Sequence, residues 1–279
     1  MNTPVIAAFA RLAKENTLPT RVLEGQGTMI SRTMHSLAYD SVNDEIVVNS
    51  PLAQAILFFR GGANGEERPV RVIQGPLTQI QGTAYDGNDE MTFDDVHGEV
   101  YIPVATNRGP GVADILVFDR TSNGNVAPKR VLGGPDTQIR GTVRGHPSVG
   151  VDPVHNLLIV RSNGEQGKGP ALLIFDRMAS GNTKPLRVIQ GPNSGVAGGG
   201  QPQVYGPKGF IVTGSNAGSL GVWSVDDNGD VPPRWRIPVL QLAGIQTSGI
   251  ALNPAHKELI ATSGAKNKMV TFHFPEMFD

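Results

Sequence analysis

The stretch FDRTSNGNVAPKRVLGGPDTQIRGT, residues 118 to 142, is repeated in altered form elsewhere in the chain. Residues 59 to 83 read FRGGANGEERPVRVIQGPLTQIQGT, and residues 175 to 192 read FDRMASGNTKPLRVIQGP. Self-similarity at a regular period is the sequence signature of repeat architectures. The 279-residue chain is therefore predicted to form one repeated architecture around a shared core.

An aromatic residue ends a short apolar run in each repeat and serves as the reference position for the other residues. The six reference positions are Phe9, Phe59, Phe118, Phe175, Trp223 and Phe272. A proline lies ten residues after the first five, at Pro19, Pro69, Pro128, Pro185 and Pro233. A glycine lies six residues after four of them, at Gly65, Gly124, Gly181 and Gly229, whereas the first copy has Glu15. Because glycine allows the positive φ of tight turns, this spacing predicts a hairpin with a buried inner strand and a half-exposed outer strand.

A second hairpin precedes most copies of the first. The segments SLAYDSVNDEIVV, MTFDDVHGEVYI, VGVDPVHNLLIV, PQVYGPKGFIVT and GIALNPAHKELIA align on Asp40, Asp94, Asp152, Tyr205 and Asn253. Polar turn residues separate the two apolar runs in these segments. Four strands in roughly fifty residues are typical of a β-propeller blade. The predicted fold is therefore all-β, a propeller of four-stranded antiparallel blades.

The repeats resemble the NHL-like family of bacterial β-propeller repeats, in which a glycine, apolar, alanine, apolar, aspartate segment precedes a valine-rich strand and an F-D hairpin. The resemblance covers nearly the whole chain and implies the propeller architecture, but the family includes both binding modules and enzymes. In this family an aspartate commonly follows the second strand. The matching positions here are Asn49, Pro103, Arg161, Gly214 and Thr262. This departure argues against carrying over an acidic polar site.

The count of matched strands favours five blades, with six as the alternative, because the second hairpin set has five copies and the aromatic position has six. We expect an N-terminal strand, residues 19 to 25, to close the propeller by pairing with residues 269 to 274, since terminal pairing removes exposed edges. Residues 1 to 18 are then an N-terminal extension, with a short helix in residues 3 to 15. Residues 19 to 279 form a single propeller domain.

Composition and charge restrict the classes of partner. The 35 Gly and 21 Pro favour many tight turns. A net charge of -1 and a pI near 6.6 predict neither a nucleic-acid nor a membrane partner. The absence of Cys excludes disulfides and cysteine-ligated metals. The opening MNTPVIAAFARLAKE makes a poor signal peptide and no segment is long enough to span a bilayer, so we expect a cytoplasmic protein unless a secretion signal has been removed.

The candidate ligand site lies at the mouth of the predicted central channel, where loops of different blades converge. Candidates at the entry to the first strand are His35, Glu90, His146, Gln203 and Thr247. Candidates in the loop leaving the second strand are Asn49, Asn107, Arg161, Asn163 and Asn216. Their identities differ among repeats, which permits specificity, and the planar donors of Arg161 favour an anionic group. The alternative is that these polar groups only satisfy buried backbone groups and waters.

No metal or cofactor is predicted. Calcium recruits about six to eight oxygen ligands, and Glu90 is the only carboxylate among the candidates. His35 and His146 lack a third placed ligand for zinc, although either could serve as a general base. The remaining histidines are assigned structural roles in turns and in the terminal strand, and they are His97, His155, His256 and His273.

An arginine recurs two residues after the proline of the outer strand. Its four copies are Arg21, Arg71, Arg130 and Arg187. Use of one residue at one repeat position favours a structural role over a basic ligand ring. We expect Arg130 and Arg187 to face Asp119 and Asp176 across their hairpins, or to pack against an adjacent blade.

Two functional classes fit the sequence. The first is a non-catalytic binding module that presents a channel-mouth or end-face site to a protein, a carbohydrate or a small polar ligand. The alternative is a lactonase-like hydrolase or lyase with its site at the channel mouth. We favour the first because the sequence has neither a repeated acidic ring nor a nucleophile motif such as GxSxG.

Overall fold

The structure is a computed structural model, and it describes residues 4–32, 34, 36–80, 90–106, 112–141, 147–164, 167–197 and 200–279. The chain forms two compact units, residues 1–106 with 115–131 and residues 107–114 with 132–279. The strands of the described residues are β1 (Val5–Ala8), β2 (Arg21–Glu24), β3 (Leu37–Asp40), β4 (Glu45–Ser50), β5 (Ala55–Arg60), β6 (Arg71–Gln74), β7 (Thr92–Asp94), β8 (Glu99–Ala105), β9 (Ala113–Asp119), β10 (Arg130–Leu132), β11 (Ser148–Asp152), β12 (Leu157–Ser162), β13 (Ala171–Asp176), β14 (Arg187–Gln190), β15 (Gln203–Tyr205), β16 (Phe210–Ser215), β17 (Ser219–Ser224), β18 (Trp235–Ile237), β19 (Gly249–Asn253), β20 (Glu258–Ser263) and β21 (Lys268–His273). Two short helices are α1 (Val239–Ala243) and α2 (Pro275–Phe278).

Consecutive antiparallel meanders make the blades. Blade 1 is β3 to β6, blade 2 is β7 to β10, blade 3 is β11 to β14 and blade 4 is β15 to β18. Blade 5 has the three strands β19 to β21 in the described part of the chain. These meanders confirm the predicted fold class, an all-β propeller with five blades.

Burial along the strands follows the predicted inner and outer roles. In blade 1, the third strand β5 is buried from Ala55 to Phe59, whereas Ile73 is the one buried residue of the fourth strand β6. The hairpin register is the same in each blade for which pairs are resolved. The central pairs are Leu57 with Val72, Leu173 with Val188 and Gly221 with Arg236. The apolar pattern and the fixed proline spacing therefore set both burial and register.

The turn glycine of this hairpin has two roles. Gly65 and Gly124 have φ values of 66° and 74°, as predicted for positions that require the left-handed region. Each also forms a parallel bridge to the outer strand of the preceding hairpin, Gly65 with Leu23 and Gly124 with Ile73. One glycine thus closes its own hairpin and joins it to the neighbouring sheet.

The N-terminal segment corrects two predictions. The helix expected in residues 3 to 15 is wrong, because Val5–Ala8 is strand β1. The partner expected for residues 19 to 25 is also wrong, because β2 pairs with β1, with Ala7 opposite Val22. This is the register of the other outer hairpins, so Phe9 marks a real copy of the repeat. Tertiary pairing outweighs helix propensity here, since a helix of about twelve residues is marginal in water.

A buried aspartate organises the turn between the first and second strands. In blade 2, Asp94 Oδ1 accepts hydrogen bonds from the backbone N–H groups of Val96 and His97, and its Oδ2 lies 2.8 Å from His97 Nδ1. Asp152 and His155 repeat this arrangement in blade 3, also at 2.8 Å. The structural role predicted for these two histidines is therefore confirmed.

The recurrent arginine has a structural role, but its partners differ from those predicted. Arg130 forms a two-bond ion pair with Glu99 on β8, both bonds at 2.8 Å, whereas Asp119 pairs with Lys129. Arg71 makes the equivalent pair with Glu45. The predicted aspartate partner is wrong because the buried Glu99 carboxylate, 3% exposed, takes two hydrogen bonds from the guanidinium, whereas the Asp119 side chain is 49% exposed and bonds Lys129.

Arg187 also differs from the hairpin prediction. Arg187 Nη2 lies 3.4 Å from a carboxylate oxygen of Asp226, in the hairpin turn of the next blade. The expected packing against an adjacent blade is therefore confirmed for Arg187. Both side chains are substantially exposed, at 33% and 79%, so this ion pair is weak.

A Gly-x-x-Thr/Ser turn recurs in the connections between sheets, and two of its four copies, residues 75–78 and 134–137, read Gly-Pro-x-Thr. Thr137 is fully buried, and its Oγ1 donates to the Gly134 carbonyl and accepts from the Ile139 N–H. Thr28, Thr78 and Ser194 make the same pair of bonds in other connections. In the three threonine copies, the hydroxyl therefore adds a second donor to a glycine carbonyl that already accepts the threonine backbone N–H, and it supplies the acceptor for the N–H two residues further on.

We expect Thr137→Val to lower the free energy of unfolding by about 1 to 2 kcal/mol, because the nearly isosteric change removes the acceptor of the buried Ile139 N–H and one of the two donors to the Gly134 carbonyl. Thr183→Val is the control, since Thr183 is exposed and bonds only the Ser180 carbonyl. Urea denaturation of both variants and the wild type measures the difference. Equal losses in the two variants would contradict the role assigned to Thr137.

Candidate functional site

The candidate ligand-binding residues predicted from the sequence differ in burial and in location. His35, Asn107 and His146 lie outside the described residues. Asn49 is fully buried in β4, where its backbone N–H donates to the Ser36 carbonyl. A buried position inside a strand favours a structural role for Asn49.

Arg161 lies at the end of β12 and is only 5% exposed. Its Nε donates to the Ser148 hydroxyl across the strand pair, at 2.9 Å. A buried guanidinium needs several hydrogen bonds to offset its desolvation, so this bond fixes the side chain within blade 3. Its predicted contact with an anionic ligand stays a prediction.

Three further candidates are partly exposed. Glu90 occupies an isolated bridge just before β7, and Gln203 is the first residue of β15, opposite Val212. Asn163 follows β12 and is held through its backbone N–H, which donates to the Arg140 carbonyl. Their convergence on a common channel also stays a prediction.

Asn216 and Thr247 are the two candidates that the structure brings together. They line a cavity of about 380 Å³ together with Ala197, residues 214–219 and Gln246. We name it the blade 4 cavity, because the turn between β16 and β17 forms most of its wall. Asn216 and Ala217 are exposed, so the cavity opens to solvent. Its volume is within the range of small-molecule sites.

The cavity forms where the repeat pattern changes. In the connection to blade 5, Leu242 occupies the repeat position that Thr137 occupies in its own connection. Helix α1 replaces the Gly-x-x-Thr/Ser turn there, is capped by Gly244 with φ 67°, and packs Leu240 against Gly218. The chain then returns through Gln246 and Thr247 to β19. The altered connection thus supplies one wall of the cavity.

The lining of the cavity is polar and uncharged. It includes the hydroxyls of Ser215, Ser219 and Thr247 and the side-chain amides of Asn216 and Gln246. The Oγ1 atom of Thr247 is buried and has no hydrogen-bond partner among the described residues. A buried hydroxyl without a partner costs free energy. This arrangement is suited to recognition of a polar ligand by hydrogen bonds.

Sequence reasoning missed Ser219 and Gln246. A signal was present, because the connection VLQLAGIQTSG, residues 239 to 249, lacks the Gly-x-x-Thr/Ser turn of the other four copies. A departure from a repeat marks a position free of the framework role.

No group of three or more His, Asp or Glu side chains that could hold a metal ion occurs within the described ranges. In the same part of the chain, no helix combines the length and apolar character needed to cross a membrane.

The fold and the loop-lined cavity define a protein of the β-propeller class. No protein-family model matches the chain. A search of curated proteins gave no match either. Among solved structures, it is similar to a propeller chain of "Crystal Structure of Mitotic Checkpoint Complex", with a TM-score of 0.53 and 13% identity. The match covers 85% of this chain and 60% of that chain, and at this identity it shows the fold alone.

Proposed function

We propose that this protein is a non-catalytic binding module that recognises a small polar ligand in the blade 4 cavity. The observation that carries the proposal is the convergence of hydroxyl and amide side chains, from the β16–β17 turn and from the residues before β19, on an open, polar cavity of about 380 Å³. Hydrogen-bonding side chains from two different loops converge there, which is the arrangement that orients a small ligand.

The uncharged lining supports binding over catalysis. A hydrolase or lyase needs a base, a nucleophile paired with a base, or an electrophilic centre at its site. The described lining offers hydroxyls and amides, with neither a carboxylate nor an imidazole beside them. The lactonase-like alternative would have to use residues other than these.

Broader partners and family membership are proposed on separate grounds. The propeller neighbour belongs to a protein complex by its title, which supports a protein partner as a second class for this fold. The resemblance to NHL-like repeats is proposed from the residues quoted above, and the cytoplasmic location stays a prediction.

Saturation-transfer NMR with glucose, glucuronate, glucose 6-phosphate and glutamine tests the proposed function. We expect at least one compound to bind the wild type and to remain chemically unchanged on prolonged incubation. Ser219→Phe should abolish binding, because it places a ring in the cavity. Ser180→Phe, the same substitution in an exposed hairpin turn, should retain it.

Three results would overturn the proposal. They are binding that survives Ser219→Phe in the folded variant, conversion of the bound compound, and no binding of any of the four compounds. Thermal denaturation of each variant shows whether it is folded.

A further inference from the structure

Arg236 departs from the repeat pattern of the outer strand. The other four copies have valine at this position, namely Val22, Val72, Val131 and Val188. Trp235 takes the place of the recurrent arginine and makes edge-to-face contacts with Phe210 and Phe274. Since side chains alternate along a strand, Arg236 lies on the opposite face of its sheet from the recurrent arginine. Its role is therefore not that of the framework arginines.

The guanidinium of Arg236 lies beside the blade 4 cavity. Gly195 is buried with φ 64°, and a Cβ built on it would lie 3.0 Å from Arg236 Nη2. The same point is 3.4 Å from Asn216 Nδ2 and 3.5 Å from Ser215 Oγ. Asn216 and Ser215 line the cavity, so a cation, an amide and a hydroxyl converge at its edge.

The charge of Arg236 is not neutralised within the described residues. None of their carboxylates forms an ion pair with it, whereas Arg234, two residues earlier, pairs with Asp227 at 2.9 Å. The described cavity lining also lacks a carboxylate that would repel an anion. Charge and geometry at this edge of the cavity therefore both favour a negatively charged group.

We infer that the blade 4 cavity binds a small hydroxylated molecule through an oxyanion group, a carboxylate or a phosphate, that contacts Arg236 and Asn216. This inference rests on the binding function proposed above. The planar donors of arginine match both kinds of oxyanion, and charge-assisted hydrogen bonds are about twice as strong as neutral ones. Ser219 and Gln246 line the same cavity and can bind the ligand's hydroxyl groups.

Isothermal titration calorimetry with glucuronate, glucose 6-phosphate and glucose tests the inference. We expect at least one of the two acids to bind at least about tenfold more tightly than glucose. Arg236→Met should remove this preference. Arg234→Met, which deletes the same charge two residues away, should change the affinities by less than about twofold. Comparison of the two acids distinguishes a carboxylate from a phosphate site.

A second variant tests the same contact without replacing Arg236. Gly195→Ala places a Cβ against the guanidinium and should weaken binding of the preferred acid. Gly181→Ala is its control, because Gly181 has a similar φ of 60° but no atom within 4 Å of the added Cβ. Both variants carry the same backbone strain, so only the contact differs.

The outcomes separate this inference from the proposed function. If glucose binds as tightly as both acids and Ser219→Phe abolishes that binding, the cavity is a ligand site but the oxyanion inference is overturned. A preference for an acid that persists in folded Arg236→Met also overturns the inference. If no probe binds, both proposals fail.

Discussion

Replacement of Arg130 by Met is expected to lower the free energy of unfolding by about 2 to 4 kcal/mol at pH 7. The side chains of Arg130 and Glu99 are 9% and 3% exposed, and two hydrogen bonds of 2.8 Å join them. In the variant the Glu99 carboxylate stays buried and keeps two of its partners. Lys129 Nζ lies 3.1 Å from Glu99 Oε1, and the Tyr101 hydroxyl donates to Glu99 Oε2 at 2.6 Å. An incompletely compensated buried charge is among the most destabilising single changes.

Arg187→Met is the matched control, because it removes the same residue from the same repeat position. Its ion pair with Asp226 is exposed, so we expect a loss below about 1 kcal/mol. Denaturant titration of both variants measures the difference, provided that the denaturant dependence of unfolding is unchanged. A loss at Arg130 no larger than that at Arg187 would contradict the buried-pair interpretation.

The loss of free energy of unfolding caused by Arg130→Met should also depend on pH. Burial alone raises the pKa of Glu99, but hydrogen bonds from Arg130, Tyr101 and Lys129 outweigh burial and hold this pKa well below its ordinary value of 4.5. A carboxyl group whose pKa is lower in the folded than in the unfolded chain stabilises the fold at any pH above its unfolded pKa. This stabilisation is lost progressively as the pH falls below the unfolded pKa towards the folded one. The free energy of unfolding of the wild type should therefore fall below about pH 4.5. The difference in free energy of unfolding between the wild type and Arg130→Met should become smaller in the same pH range.

Gly150→Ala is expected to lower the free energy of unfolding by about 2 to 3 kcal/mol. Gly150 lies in the buried strand β11, and a Cβ there would be 2.6 Å from the Pro202 carbonyl oxygen, which precedes β15. Because the obstructing atom belongs to the backbone, relief requires blades 3 and 4 to separate locally. Thermal and denaturant unfolding both report the loss.

Gly249→Ala serves as the control for Gly150→Ala. Gly249 lies in β19, the first strand of blade 5, but its added Cβ would meet only the Thr262 hydroxyl, at 2.8 Å. A side chain can rotate away, so we expect a change of less than about 1 kcal/mol. Comparable destabilisation of the two variants would show that the Pro202 carbonyl is not the cause.

The candidate site was partly predictable from sequence. Asn216 and Thr247 were identified because they occupy loop positions that vary among repeats, and both line the blade 4 cavity. Arg236 was detectable as an arginine at a valine position, but its proximity to Asn216 depends on how the segment around Gly195 folds back against the β16–β17 turn. Such contacts between distant segments have no local sequence signal.

The sequence by itself determined the hairpins, their register and their turns. The aromatic-to-proline spacing placed Leu57 opposite Val72, and turn glycines such as Gly65 have the positive φ that their position requires. These features are local, since strand alternation and turn chemistry act over a few residues. These features could therefore be predicted from a single amino-acid sequence.

Only the tertiary structure decided which side chains meet across strands and blades. It paired Arg130 with Glu99 instead of Asp119, made Gly150 sterically necessary although Ala38 occupies the matching position in blade 1, and turned residues 5 to 8 into a strand. Each outcome depends on segments far apart in sequence approaching within a few ångströms. Close packing makes such contacts decisive, because a buried charge or a single added methyl group cannot be accommodated without cost.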